Sequence, residues 1–335
     1  MAEVVIVGGG PAGLNCAYHL AKGGKEVVVL EKHPFPVGKL CAGGLTLKDF
    51  KEGVPKEIVE RSFSTHTIHT PSGQTTLKAK EPIVFTADRK KISQWLFDRA
   101  RKAGAIIERK RVTRIEDRAV ITKDGKKINY HYLIGADGSL SLVRRYLNVP
   151  TINLVIAWQT SLPFSVPKMQ WFMNPKLFGQ GYGWIFPHRD KTMIGFGCSN
   201  LKDIPKTKKK FLFWIKERCG LKINTTFKAH PINSDYRGHQ FGHIYLIGDA
   251  GGFASGLTWE GIYFALVSGR EVARMILNKN YEARDLRALL SLKRRHERMA
   301  RMLHLPRPIL THLFECLRRA LGISFLSQLI IKKYG

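Results

Sequence analysis

EVVIVGGGPAGLNCAYHLAKGGKEVVVLEK, residues 3–32, reads as strand, glycine turn, helix and second strand. Val4 to Val7 form a short apolar run. Gly8, Gly10 and Gly13 then fit GxGxxG, and Leu14, Ala17, Leu20 and Ala21 repeat at helical spacing. The three glycines act differently. Gly8 permits the tight turn, Gly10 lets backbone approach a pyrophosphate, and Gly13 lets helix pack on strand. Ala12 lies within the same turn, and Pro11 suits a first helical turn because its missing N–H is not needed there. The free N–H groups and the positive end of the helix dipole favour phosphate. Val27 to Leu30 form the second strand, and Glu31 at its end is placed to accept from ribose hydroxyls.

Working outward, 335 residues with 44% apolar and 10% aromatic content can bury a sizeable core and predict two domains. The five cysteines, at 16, 41, 198, 219 and 316, form no CxxC pair or zinc spacing, which predicts a reduced, cytoplasmic setting without a structural metal. The opening MAEVVIVGGG enters a strand at once, so no signal peptide is expected. The uncharged run from Leu147 to Pro167 contains three prolines and suits strands and turns, not a membrane span. Net charge is the outlier: 55 Lys+Arg against 26 Asp+Glu gives +29, a field that attracts polyanions such as nucleic acid, anionic headgroups or phosphorylated small molecules. The excess is spread along the chain with no nucleic-acid motif, so no specific nucleic-acid partner is expected.

Two later stretches repeat the strand-to-glycine pattern: YLIGADGSLSLVRR at 132–145, and IYLIGDAGGFASGLTWEGIYFALVSGREVA at 244–273. The second opens a helix whose buried face is marked by Ile262, Ala265, Leu266, Gly269, Val272, Ala273 and Ile276. In this order the three signatures resemble the p-hydroxybenzoate hydroxylase superfamily of FAD-dependent oxidoreductases. The resemblance implies an α/β fold: a Rossmann-like FAD-binding domain interleaved with a β-sheet substrate domain, plus C-terminal helices. It also implies that Asp249 bonds the ribityl chain, that Gly261 and Ile262 present backbone to the flavin ring, and that Asp137 and Gly138 support the pyrophosphate region. Arg89, in TADRKKISQWLFDRARKAGA, resembles the family arginine that contacts the cofactor from a helix start; the alternative is a solvated surface charge. Val112 resembles a strand position touching the adenine side.

A narrower resemblance comes from KLCAGGLT, residues 39–46, and YGWIFPHRDKTMIGFG, residues 182–197. The first resembles the Cys-x-Gly-Gly loop of the geranylgeranyl reductase family, flavoenzymes that saturate isoprenoid double bonds in lipids. The second resembles that family's Tyr-x-Trp-x-Phe-Pro segment, with Gly195 and Gly197 following. Trp259 departs from the pattern, standing where a small residue is usual. The resemblance places Cys41, Ala42, Gly43 and Gly44 at the cofactor. Gly43 and Gly44 would let backbone lie against the flavin ring. Cys41 is then either a proton donor or shield beside the substrate, or a small buried space-filler. Alternation puts Tyr182, Trp184 and Phe186 on one face of a strand, as a wall for an apolar chain or as sheet core.

The expected division is an FAD-binding domain of residues 1–50, 85–150 and 240–280, a substrate domain of 51–84 and 151–239, and a basic amphipathic tail of 281–335. A hairpin is expected around Pro71-Ser72-Gly73. Residues 284–335 carry twelve Lys/Arg against three acids, and Ile309, Leu310, Leu313, Phe314, Leu317 and Leu321 form one helical stripe, followed by ISFLSQLII and KK. That tail either lies on an anionic membrane, giving a peripheral cytoplasmic protein, or caps the enzyme. His66/His69 and His239/His243 have metal-like separations without a third ligand, so no metal is expected. The resemblance implies hydride transfer from reduced FAD to an isoprenoid or related lipid double bond. The electron donor is left as NAD(P)H or a redox partner protein such as ferredoxin. A monooxygenase of the same fold is the alternative enzyme, and a flavoprotein that only binds anionic partners is the non-enzymatic one.

Overall fold

The computed structural model describes residues 2–38, 41–152, 154–198 and 203–322. Its first sheet is built around Ala2–Val7, which runs parallel to Lys127–Gly135 on one side and Val27–Glu31 on the other. Ile106–Arg109 extends the sheet parallel to Val27–Glu31, and Ile244–Leu246 extends it parallel to Lys127–Gly135. Parallel neighbours need a crossover, and the helix Pro11–Lys22 supplies the first. Both faces of these strands are covered, which explains the unbroken valine runs. Val4, Ile6, Val27 and Val29 pack among Leu14, Ala17, Leu20 and Leu266. Val5, Val7, Val28 and Leu30 pack among Ile115, Val120 and Val143.

The helix Ile262–Leu277 lies against the first helix, and the fit is close. A Cβ on Gly269 would stand 2.4 Å from the carbonyl oxygen of Ala12. Asn15 Nδ2 donates to the Leu266 carbonyl at 2.7 Å. All seven residues expected on the buried face are buried. So is Glu271, which is paired with Arg270 and Arg274 and bonded by Tyr281.

A second sheet takes Lys228–Asn233, Leu154–Leu162, Thr192–Cys198, Gly183–Pro187, Met169–Phe172, Thr65–Thr70 and Gly73–Lys78 in that spatial order. Its pairings are antiparallel except between Met169–Phe172 and Thr65–Thr70. Thr70 pairs with Gly73, so the hairpin turns through Pro71 and Ser72. Ile185, Ile194 and Phe196 cover one face with Phe211 and Ile215 of the helix Ile204–Cys219. Trp184, Phe186 and Met193 line the other. A small third sheet, Gly44–Thr46, Val84–Ala87 and Val59–Phe63, holds the Cys41 loop between the two large ones.

The C-terminal helices divide their contacts. Arg284–Met302 packs Leu286 and Leu289 on Phe253, Phe264 and Val267, and its buried Lys293 donates to the carbonyls of Ser234 and Ala254. Arg307–Leu321 docks on the 65–78 hairpin: Glu315 accepts from Thr70 Oγ1 and the Ser72 N–H, while Leu310 and Leu321 are buried. The expected single stripe is therefore split, because Ile309, Leu313 and Leu317 face solvent. The ISFLSQLII and KK segments lie outside the described residues. Among the described residues no helix is long and apolar enough to cross a membrane. His66 and His69 are buried and hydrogen-bonded, to the Phe63 carbonyl and Gln170, and His239 bonds Tyr236.

Candidate active site

The glycine turn is tight for stated reasons. Gly8 has φ +108°, and a Cβ there would lie 2.3 Å from the Ala136 carbonyl oxygen; one on Gly13 would lie 2.0 Å from that of Gly8. Around Gly10 the position is open, with nothing within 4 Å of an added Cβ. An open backbone position at a helix N-terminus is what a pyrophosphate needs. Ala12 packs under Gly248, where a Cβ would meet its methyl at 2.8 Å. Glu31 has a role the motif does not advertise. Its carboxylate accepts from the Gly9 N–H at 2.7 Å and the His33 N–H at 2.8 Å, closing the turn. Each oxygen keeps further acceptor capacity for a ribose hydroxyl.

Arg89 is 7% exposed and so is no solvated surface charge. It opens the helix Arg89–Lys102, whose N-cap is Asp88. Nη1 donates to Ser93 Oγ at 2.7 Å, while Nη2 is buried without an acceptor among the described residues. Burial holds this guanidinium below its ordinary range, and Cys41, Asp249 and Asp88 are the groups whose fields oppose that. A buried donor left unmatched is costly, and an oxygen-rich cofactor removes that cost. Asp249 is aimed at the same place: its Oδ2 accepts from Ser139 Oγ, and a Cβ on Gly261 would sit 3.5 Å from its Oδ1. Gly261 and Ile262 begin the helix Ile262–Leu277. Asp137 turns away from this group. Its carboxylate accepts from Ser141 Oγ and the Leu142 N–H, securing the short helix Leu142–Tyr146, while Gly138 takes φ +81° beside it. Val112 starts a meander strand with its side chain against the cluster on the opposite sheet face, away from the first helix.

The two glycines after Cys41 have a structural reason of their own. Gly43 has φ +73°, and a Cβ there would meet the Ala87 carbonyl at 2.3 Å and the His188 ring at 2.8 Å; one on Gly44 would meet the Phe186 ring at 2.7 Å. The protein's own packing therefore requires both. Cys41 is half-buried, and its Sγ lies 3.4 Å from the Gly43 N–H. Beyond the loop Thr46 and Asp49 form a capping box, and the Thr46 hydroxyl stands between Asp49 Oδ2 at 3.1 Å and Glu260 Oε1 at 3.4 Å. Burial and the nearby Glu260 raise the Asp49 carboxyl to about 7, and burial raises Glu260 as well. The T-x-x-D spacing of that box is readable in the sequence; its meeting with Glu260 is not.

Trp184 and Phe186 share one face with Tyr182, packed against Ala42 and Trp259. The Gly-x-Gly that follows makes room for the indoles. A Cβ on Gly195 would lie 2.4 Å from Trp184, and one on Gly197 would lie 2.2 Å from Trp259. Trp259 stacks on Tyr182 at 4.5 Å between centroids, and its backbone takes φ 56°, a region that glycine enters easily and other residues do not. That conformation is one in which glycine would be free of strain. An open cleft of about 540 Å³ beside Arg118, Met275 and Lys279 lies toward the other end of the Ile262–Leu277 helix from Gly261.

Comparison with known proteins agrees with this geometry. The FAD binding domain family matches residues 1–170. Geranylgeranyl diphosphate reductase of Oryza sativa subsp. japonica is 30% identical over 86% of this chain and 70% of its own. Digeranylgeranylglycerophospholipid reductase 1 of Methanosphaera stadtmanae is 25% identical over 85% of this chain and 78% of its own. The crystal structure of a geranylgeranyl bacteriochlorophyll reductase-like protein from Thermoplasma acidophilum superposes with a TM-score of 0.77 at 21% identity, covering 99% of this chain and 95% of that one. The chain therefore belongs to the geranylgeranyl reductase family of FAD-dependent oxidoreductases, within the p-hydroxybenzoate hydroxylase fold.

Proposed function

We propose that the protein reduces carbon–carbon double bonds of an isoprenoid chain or related lipid, with NAD(P)H or a ferredoxin-type protein as electron donor. FAD, when bound, supplies the hydride. The observation that carries this reading is one aromatic face, Trp184, Phe186, Tyr182 and Trp259, packed directly on Ala42 and Gly44 of the Cys41 loop. Such a face accommodates an apolar chain and keeps water away. Gly10, Arg89 and Asp249 hold the cofactor, with Glu31 on its ribose and the backbone of Val112, Gly261 and Ile262 beside its rings. Cys41 stands between that site and the aromatic face as the candidate proton donor to the second alkene carbon. The deciding experiment is anaerobic mixing of dithionite-reduced protein with a polyprenyl lipid. Reoxidation with a saturated product supports the reading. Oxygen-dependent consumption of NAD(P)H with a hydroxylated product would replace it with the monooxygenase alternative. Cys41→Ser that binds FAD and turns over at the native rate removes Cys41 from the chemistry.

The same reading extends to a membrane surface. Ile309, Leu313 and Leu317 are 50%, 40% and 37% exposed at helical spacing, on a helix that also carries Arg307, Arg318 and Arg319. An apolar stripe with basic neighbours fits an anionic bilayer. Retention on phosphatidylglycerol vesicles at low salt, lost in the Ile309→Ser/Leu313→Ser/Leu317→Ser variant, is the expected result. Equal retention of that variant defeats it.

A further inference from the structure

The Cys41 loop is tied to the aromatic strand by a side chain to which the motif reading assigns no role. His188 follows Phe186 and Pro187 and is 1% exposed. Its Nε2 lies 2.9 Å from the Ala42 carbonyl oxygen, and its Nδ1 lies 2.7 Å from Oε2 of Glu60. Both partners are acceptors, whereas a neutral imidazole has one N–H. Satisfying both contacts therefore takes one additional proton within the His188–Glu60 pair. The Glu60 side chain is 6% exposed and is paired through its other oxygen with Lys91 at 3.1 Å. The Asp88–Lys191 ion pair stands nearby, and the His188 carbonyl accepts from Ser165.

The contacts on the loop converge on Ala42 and Gly43. The Ala87 N–H donates to the Gly43 carbonyl at 2.9 Å, one residue beyond the Ala42 carbonyl that His188 grips. The imidazole also forms the wall that forbids a side chain on Gly43. Successive peptide units are thus fixed in orientation, one by the small sheet and one by His188. A peptide that keeps its N–H or C=O aimed at a ligand position before the ligand arrives is preorganised, and that aids both affinity and chemistry.

We propose that His188 is a positioning residue: backed by Glu60, it ties the Ala42 carbonyl to the aromatic sheet and fixes the Cys41–Gly43 backbone toward the cofactor. This rests on the flavin site proposed above, but the thiol reports on the loop without the cofactor. The test uses full-length protein carrying His188→Gln, His188→Lys or Glu60→Ala. Glutamine carries two N–H donors on one neutral amide and brings no charge to match Glu60, whereas the lysine ammonium has three donors and a charge. Iodoacetamide alkylation of Cys41, followed by peptide mass mapping in apoprotein, should speed up about tenfold or more in His188→Gln, as expected for losing a buried hydrogen bond. The absorption fine structure of FAD-loaded protein should blur in the same variant. His188→Lys should recover both readings. Should His188→Gln fail to fold, Glu60→Ala should show the same two changes at smaller size. Native alkylation rate and flavin spectrum in a folded His188→Gln or Glu60→Ala protein overturns the proposal, and so does a lysine variant no better than glutamine. A protein that takes up no FAD but still shows the alkylation contrast refutes the flavin reading and leaves the clamp standing.

Discussion

The glycine turn at residues 8–13 and the loop at residues 41–46, both assigned to the proposed cofactor site, are held by different means. In the turn, the tightest glycine contact and the closing hydrogen bond come from near neighbours, Gly13 against the Gly8 carbonyl and Gly9 on Glu31, while Ala136, Gly248 and Gly269 pack on it from farther along the chain. In the loop, beside the local Thr46–Asp49 box, the shaping contacts come from elsewhere in the chain. Ala87 and His188 fix Gly43, Phe186 limits Gly44, and Glu260 meets Thr46. A turn of the first kind carries its instructions within one βαβ unit. A loop of the second kind has a shape only once both large sheets are in place. Binding of the dinucleotide and shaping of the reaction face are therefore separable properties.

The largest effect should come from breaking the turn. Gly13→Val puts a side chain 2.0 Å from a backbone oxygen that cannot step aside, so a loss of about 3 kcal/mol or more and failure to bind FAD are expected. Chemical denaturation and flavin absorbance measure both; a yellow, stable variant contradicts the turn geometry. Gly197→Ala attacks the other region, pushing a methyl into the Trp259 indole. It should cost about 1–3 kcal/mol and impair lipid turnover while FAD is retained. If cofactor uptake falls in step with turnover, the two regions are not separable.

A pH-graded effect belongs to Asp49. Its carboxyl is raised from 3.8 to about 7 in the folded protein, so between those values the native state holds a proton that the unfolded chain lacks. Stability from this group is present below about pH 3.8 and is lost as pH rises through about 7, with a slope of at most about 1.4 kcal/mol per pH unit. Asp49→Asn should flatten that slope in urea melts taken between pH 4 and 7; an unchanged slope rules out the assignment. The last is Trp259→Gly. Relief of the left-handed backbone, worth about 1 kcal/mol, offsets only part of the lost ring stack and the lost burial of the indole against Tyr182 and Gly197, so a net loss of about 1–2 kcal/mol and a lower Tm are expected. Bulkier polyprenyl substrates should gain relative to shorter ones in competition assays, and an unaltered preference places Trp259 outside the substrate path.

These contrasts also explain what can be read from the sequence. The 3–32 unit is contiguous, so its strand, turn and helix are legible from residue order alone. The alternation of Tyr182, Trp184 and Phe186 is legible for the same reason. The partners of His188 are 128 and 146 residues away, and no spacing rule connects them. The role of Gly195 and Gly197 is hidden similarly: glycine in a strand signals a close approach, but which indole approaches is a property of the assembled sheet. Arg89 illustrates the converse, since residue order leaves a solvated charge open and only its burial and unmatched Nη2 close that alternative.

The close crossing of the Pro11–Lys22 and Ile262–Leu277 helices carries a consequence for biosynthesis. During translation the amino-terminal unit leaves the ribosome long before the helix that covers it. At typical elongation rates the delay is on the order of tens of seconds. Throughout that interval the apolar side of Leu14, Ala17 and Leu20 lacks its final cover, so the nascent chain is a natural client for chaperones, and stable cofactor capture belongs to the closing moments of synthesis.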